Sequence, residues 1–465
     1  MKVCIISEGS YPIVRGGVSE WAHQFIKRLG YVDFDVFCLA PSGRERQIYE
    51  KLPNVDIIKI CGITPPSSPR KSSTLQKAAS AELANCLSPV LYGNPLNCEN
   101  LANLQREYDI TKAWLRSKEY WDSVVQFYEK NCPETEFSKF FWTVHGVYSM
   151  LLDTLALVPQ LPKADVYHSL TTGMGGLIGS MAKVLHGSPL VVAEHGLYLK
   201  ERNIEIARQD LSATAKQLVM AGYKNMVKTS YQYADLLVPI CRSHADAELE
   251  LGASRDKIRI ITNGINCNKF TPPPPKNGAA PVVGCFARVV PVKDIITLIR
   301  ASQRVLEKQT ARFAVIGEIQ DDEYYNECQA LVQKFGLGEN FSFIGHVDKV
   351  IEWYHKVDVF ALCSQSEGVP LALLEAMSCG LPSVCTAVGG VPDILSGTGA
   401  GYIVPPNDPD SLAARLCELL ENKTLRREMG VRARELAKDK YTIENMADRI
   451  LGVYLEALLN GSSFR

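Results

Sequence analysis

The residues best suited to chemistry lie in the segment Ser364-Gln365-Ser366-Glu367-Gly368-Val369-Pro370-Leu371-Ala372-Leu373-Leu374-Glu375. The segment follows a short apolar run and leads into a helical pattern. In a parallel α/β sheet that junction is the carboxyl edge, where such folds bind ligands. Pro370 suits a first helical position, with free backbone N–H groups at Val369 to Leu371 turned toward a phosphate. Glu367 falls in the loop and Glu375 on the helix, so the two carboxylates serve different parts of one ligand. A carboxylate accepts paired hydrogen bonds from a vicinal diol. Glu375 therefore suits a ribose and Glu367 a sugar ring.

A second cluster, Ala287-Arg288-Val289-Val290-Pro291-Val292-Lys293-Asp294, also joins a strand pattern to a helix. Arg288 and Lys293 are fixed cations able to neutralise a diphosphate leaving group, and Asp294 is placed to cap the helix. In the first half of the chain, Gly16-Gly17 opens a helix after the first strand and lets backbone approach a donor phosphate or an acceptor. Glu194-His195-Gly196 ends another strand at the same kind of edge. His195 there could hydrogen-bond a sugar hydroxyl or steady developing charge.

These residues need a frame that brings strand ends together. Lys2–Ser7, Phe34–Ala40, Val55–Ile60, Asp165–Leu170, Pro189–Glu194, Leu236–Cys241 and Lys257–Thr262 read as strands apolar on both faces. Helical patterns at Ser19–Leu29, Gly175–Leu185 and Ile204–Ala234 lie between them. The alternation restarts after a proline run, with strands at Val282–Val289, Arg312–Gly317, Phe341–Gly345, Asp358–Ser364 and Ser383–Thr386. The reading is α/β, with two Rossmann-like doubly wound domains facing a cleft. The first spans 1–270, with a helical and aromatic insertion at about 63–141. That insertion reads as a subdomain with its own small core, or alternatively as an acceptor-side lid or partner surface. Residues 271–281, which include Pro272 to Pro275, form a stiff linker. The second domain spans 282–440, and a C-terminal helix, 441–465, is placed to pack back on the first. The stretch from Ser411 to Leu459 reads as wholly helical.

The chain of 465 residues carries 50 basic and 51 acidic side chains, so nothing global attracts nucleic acid. Its 14 cysteines are scattered without C-x-x-C spacing and read as buried free thiols. The N-terminal apolar run is too short for a signal peptide. The most apolar segment, Met150 to Leu161, is short for a membrane span and carries Asp153. These features point to the cytoplasm. Asp33-Phe34-Asp35 and Asp408-Pro409-Asp410 match an Asp-x-Asp metal motif literally, but they read as a strand start and a helix cap. No metal site and no cofactor are expected. A nicotinamide oxidoreductase is disfavoured because no Gly-x-Gly-x-x-Gly follows the first strand. A non-enzymatic nucleotide-sugar-binding protein on the same fold is the remaining alternative.

Taken together, these motifs resemble the family-4 retaining glycosyltransferases of the GT-B fold. The resemblance rests on Glu367 and Glu375, Arg288 and Lys293, Gly16-Gly17, Asn263-Gly264-Ile265 and Gly389-Gly390-Val391-Pro392. It implies a retaining hexosyl transfer from a UDP-sugar, with Glu367, His195, Arg288 and Lys293 catalytic. Gly16, Gly17, Val369, Pro370, Leu371 and Glu375 then join Arg288, Lys293 and Glu367 in binding the donor. Glu8-Gly9-Ser10-Tyr11-Pro12, Arg15 to Trp21, Tyr167-His168-Ser169 and Glu194 to Arg202 are similar to family members of bacterial exopolysaccharide synthesis. That similarity implies UDP-glucose or a related UDP-hexose, a glycan acceptor and a polysaccharide synthesis complex at the inner membrane. One departure is Ala287, where the family usually has glycine before the arginine, which puts a tighter turn there.

Overall fold

Residues apolar on both faces form strands that helices cover on both sides. In the computed structural model, which describes residues 1–63, 77–107, 112–274 and 280–462, every residue from Phe34 to Ala40 is buried. The first sheet comprises β1 (Lys2–Glu8), β2 (Asp33–Ala40), β3 (Val55–Gly62), β4 (Val166–Ser169), β5 (Leu190–Glu194) and β6 (Leu236–Pro239). The second comprises β7 (Val282–Phe286), β8 (Arg312–Ile316), β9 (Phe341–Gly345), β10 (Val359–Leu362), β11 (Ser383–Thr386) and β12 (Gly401–Val404).

Both sheets are wholly parallel. The first runs β3-β2-β1-β4-β5-β6 and the second β12-β11-β10-β7-β8-β9, so the two orders are equivalent. Register is fixed at the centre of each: Val3 lies opposite Phe34 and Val166, and Val283 opposite Phe313 and Val359. Each order reverses direction once, between β1 and β4 and between β7 and β10. Helices leave in opposite directions at those points, opening a crevice at the carboxyl ends of the strands.

The chain divides into two units. The first holds Met1–Pro239, His244–Ile261 and the residues from Ala447 onward; the second holds Ile240–Ser243 and Thr262–Met446. The boundary thus precedes position 270. Ile265 donates its amide to Tyr441 O at 2.9 Å, which ties 262–270 to the second unit by backbone pairing. The helix Ile443–Ser462 passes into the first unit, where buried Tyr454 places its hydroxyl 2.7 Å from His168 Nδ1. Of the linker, Pro275 to Ala279 lie outside the described residues, as does the Ser/Pro-rich start of the insertion.

Several expectations are corrected. Lys257–Thr262 is not a strand: it runs beside β6 with Arg259 N–H on Leu237 O and Ile261 N–H on Pro239 O, after a single 3-10 turn at Arg255–Lys257. Ile204–Ala234 is two helices, Tyr198–Ala207 and Ala213–Tyr233, because Ser212 caps the second. Ser411–Leu459 is interrupted twice, with Asn422 capping Lys423–Lys440 and Thr442 Oγ1 accepting the Asn445 amide. Among the described residues the insertion shares its core with the sheet. Leu83, Leu87, Trp114 and Tyr120 pack in one cluster with Ile6, Phe37 and Tyr167 of the sheet. Its last helix, Phe137–Leu155, begins a stretch to Gln160 long and apolar enough to cross a membrane by length and composition, with 44% of its 18-residue apolar window buried in protein. None of the 14 cysteines forms a disulfide, and 11 of them are buried.

Tyr454→Phe should strand His168 Nδ1 in a fully buried position, an unmet group costing about 1–3 kcal/mol. The urea midpoint of the first unit's transition should fall. An unchanged midpoint would show that the contact contributes nothing.

Candidate active site

The site in the second unit is built from two loops at the β7/β10 reversal. After β7, Ala287 donates its amide to Ile316 O at 3.0 Å. Among the described non-glycine residues only Asp294 and Asn407 have positive φ, so Ala287 fits its turn without strain. Asp294, at φ 46°, adopts the left-handed conformation and offsets its cost by capping the helix Ile295–Leu306. Its carboxylate accepts from the Thr297 amide at 3.3 Å and the Thr297 hydroxyl at 2.7 Å. That cap fixes the turn Pro291–Lys293. Lys293 Nζ reaches Glu367 Oε1 at 2.5 Å, with the two side chains 17% and 10% exposed.

The second loop is held as tightly. Ser364 Oγ donates to the same Glu367 oxygen at 2.6 Å, and the Gln365 amide donates to Val292 O at 2.9 Å, tying the loops together. Gly389, at φ +56°, lies against the Glu367 backbone so closely that a Cβ would meet Glu367 O at 2.1 Å. The neighbouring Gly390 amide donates to Gly368 O at 2.7 Å. Gly389-Gly390 is thus the floor on which Glu367 rests.

Pro370 stands one residue earlier than expected. It is the cap of the helix Leu371–Ser378, and its carbonyl accepts from the Leu373 amide at 3.1 Å. The amides of Leu371 and Ala372 are among those an α-helix leaves without an internal partner. Val369 is buried and offers backbone only; its carbonyl accepts from Asn263 Nδ2 at 3.4 Å. Arg288 is exposed and donates to Gln320 Oε1 at 2.8 Å, so the ion pair belongs to Lys293 and Glu367 without it.

Glu375 sits apart from the pair. Its Oε2 accepts from Tyr354 OH at 2.8 Å, and burial pushes its carboxyl up to about 7, against the opposing pull of that hydrogen bond and of Lys269. Tyr354 is itself fully buried and stacked on Phe286 at 3.8 Å. No motif marked Tyr354, Lys269 or Gln320, and Ser364 lay in the motif without an assigned role. Their roles arise from through-space packing that spacing does not encode.

In the first unit, Gly16 precedes the helix Gly17–Arg28 in extended backbone with open space where a Cβ would sit. Its conformation does not demand glycine; the gain is access to the helix's first amides. His195 packs against Trp21 with ring centres 4.2 Å apart. Burial, with His244 nearby, holds its imidazole down at about 3, and Nε2 has no protein partner. His195 is therefore neutral, a form that suits a hydrogen bond to a hydroxyl. Sequence reasoning assigned nothing to Glu8 and Glu194. Both stand at strand ends, Glu8 half-buried and bonded to Tyr198 OH at 3.0 Å, Glu194 buried and bonded to Tyr231 OH at 2.8 Å, and loss of solvation raises both carboxyls.

The Asp-x-Asp matches are structural. Asp35 pairs with Lys2 at 3.1 Å, Asp408 caps the helix Pro409–Glu421, and Asp410 meets Arg304 at 2.5 Å. Among the described residues no three His, Cys, Asp or Glu side chains cluster as metal ligands.

Residues 1–256 match the family model "Domain of unknown function (DUF3492)", and residues 268–436 match "Glycosyl transferases group 1". The chain is 29% identical to N-acetyl-alpha-D-glucosaminyl L-malate synthase of Bacillus anthracis, over 37% of this chain and 44% of that protein. It is 28% identical to the putative colanic acid biosynthesis glycosyltransferase WcaL of Escherichia coli, over 52% of this chain and 61% of that one. These alignments thus span about half of each relative's length. The crystal structure of Anabaena HepE in complex with UDP superposes with a TM-score of 0.64, at 16% identity, over 98% of this chain and 100% of that one. At that identity the likeness speaks for the fold. The chain belongs to the DUF3492 family, carries a glycosyl transferases group 1 domain after it, and has the two-domain Rossmann-like GT-B fold.

Proposed function

We propose that the protein is a retaining glycosyltransferase that moves a hexosyl unit from a UDP-hexose, UDP-glucose foremost, to a growing exopolysaccharide or other glycan. The observation that carries this reading is the Lys293–Glu367 pair at the β7/β10 reversal, with Glu375 one helix face further on. Its support also includes the UDP bound in HepE and the polysaccharide role in WcaL's name. The sequence likeness to PelF, the glycosyltransferase of Pel exopolysaccharide synthesis, points the same way. We accordingly assign it to the cytoplasm, working beside an inner-membrane polysaccharide synthesis complex.

In this mechanism Glu375 accepts the ribose hydroxyls, and Glu367 orients the hexose. Arg288, Lys293 and the first amides of the helix Leu371–Ser378 meet charge as it develops on the departing UDP. Lys293 already stands at the site, so little reorganisation accompanies bond breaking. In the first unit, neutral His195 hydrogen-bonds a sugar hydroxyl and Gly16-Gly17 receives polar ligand atoms on backbone N–H groups. Retention follows from attack on the face the UDP leaves, with the leaving phosphate taking the acceptor's proton. The cations already present make a divalent ion unnecessary.

The test is UDP release across a panel in which only the nucleotide sugar varies, with and without chelator. UDP-hexose turnover that persists in EDTA is the expected result; no turnover with any UDP-hexose refutes the reading. Activity lost in EDTA and restored by Mn²⁺ refutes the metal-free leaving-group assignment. Lys293→Ala and Arg288→Ala should each lower kcat/KM by about 10²-fold, roughly 3 kcal/mol of transition-state stabilisation. Wild-type kinetics in either variant would remove that residue from the site.

Glu375 makes donor binding pH-dependent. Its ionised form accepts the ribose hydroxyls, so UDP affinity should rise as pH climbs through about 7. Stability runs the other way. The folded state keeps a proton that the unfolded chain releases near 4.5, so this group's contribution falls as pH rises from there toward about 7. Tyr354→Phe removes a hydrogen bond that favours the carboxylate, and the calorimetric midpoint for UDP binding should move upward. A UDP affinity flat in pH would exclude Glu375 from ribose binding.

A further inference from the structure

The helices Lys118–Asn131 and Phe137–Leu155 carry aromatic side chains that the candidate site does not use. Phe140 and Tyr120 turn inward to the core, but Trp121 is 48% exposed and Trp142 67% exposed. Phe141 lies between them, its ring 5.7 Å from Trp121 and 5.3 Å from Trp142. The three rings form one continuous strip across the two helices, with half-buried Phe141 seated on the core between two exposed indoles. Single exposed apolar residues need no explanation, whereas a contiguous exposed aromatic strip marks a binding surface.

A second observation narrows the ligand. Gly146 lies four residues after Trp142, hence on the same helix face, and nothing stands within 4 Å of where its Cβ would be. Glycine inside a helix costs about 1 kcal/mol relative to alanine, and here no neighbour requires it. Its effect is to leave bare backbone beside an exposed indole, a flat shelf for a planar ligand.

Charge narrows it further. Lys118 pairs with Asp122 at 2.6 Å and Lys139 with Glu136 at 3.0 Å, so the cations beside the strip are matched on their own helices. Anionic lipid or phosphate finds no excess positive field there. An uncharged ligand with apolar faces and a rim of hydroxyls, a pyranose ring, suits indole faces flanked by matched charges.

We propose that Trp121, Phe141, Trp142 and the Gly146 shelf form a secondary site that holds a neutral hexose oligomer, the acceptor or product chain. The choice of a glycan rests on the glycosyltransferase reading, while the residues are separate from those assigned to the donor. Holding the chain here makes its return to the donor site effectively intramolecular, raising its local concentration.

The experiment titrates the full chain with cellohexaose and maltohexaose, followed by tryptophan fluorescence and calorimetry, with UDP titrated in parallel. Saturable oligosaccharide binding is expected, weakened about tenfold in Trp142→Ala and in Trp121→Ala, with UDP affinity unchanged. Gly146→Gln should raise the thermal midpoint yet weaken oligosaccharide binding, a combination that damage to the fold does not produce. UDP binding without oligosaccharide binding overturns this proposal alone, whereas failure to bind UDP strikes the glycosyltransferase reading itself. Two other results overturn it in favour of a different occupant. One is binding to phosphatidylcholine–phosphatidylglycerol vesicles that Trp142→Ala abolishes while oligosaccharides do nothing. The other is self-association that the same variant abolishes.

Discussion

Two opposite charges largely withdrawn from water meet at the carboxyl edge of the second sheet, and the loops around them are arranged to keep them there. Burying an ion costs several kcal/mol even after relaxation, so Lys293 and Glu367 are tolerable only together and only in good geometry. Ser364 bonds the oxygen they share, Asp294 caps the helix that follows Lys293, and Gly389-Gly390 presses against the backbone beneath Glu367. A hydrophobic pair of similar size would stabilise the fold at least as well. The pair makes sense as machinery, because an arriving sugar diphosphate offers each partner a replacement: phosphate for the lysine and hydroxyls for the glutamate.

Glu375 shows the same economy in another form. Its half-buried carboxyl has a single hydroxyl donor beside it, and the lost solvation lifts it to about 7. Ribose hydroxyls would complete the hydrogen bonds that the protein leaves short. The first unit repeats the theme at its own strand ends. Glu194 and the neutral imidazole of His168 are buried there, Glu8 and the neutral imidazole of His195 are half-buried beside them, and the Nε2 atoms of both histidines lack protein partners.

Much of this was legible in the sequence, for identifiable reasons. Buried parallel strands write apolar runs, so eleven of the twelve strands could be read, the half-buried edge strand Gly401–Val404 being the exception, and the junction motifs fell where strand carboxyl ends require them. Asp294 as a cap and Asp408 as a cap were visible because capping is local. What could not be read is long-range. Arg288 turns to Gln320 and not to the carboxylates, Tyr354 arrives from a separate helix to meet Glu375, and His168 is partnered by Tyr454 from 286 residues away. Lys257–Thr262 misled because an apolar run beside β6 satisfies the pattern of a strand without forming a ladder. The insertion misled because its aromatic residues are shared with the sheet's core, a fact of packing invisible in their spacing.

The central claim, that the Lys293–Glu367 loops receive the donor's diphosphate and sugar, is tested most directly by amide hydrogen exchange with and without UDP-glucose. Slowed exchange concentrated at 286–296, 364–376 and 387–392 is the predicted result. Exchange unchanged in those loops, with slowing confined to 8–20 and 194–202, would contradict it.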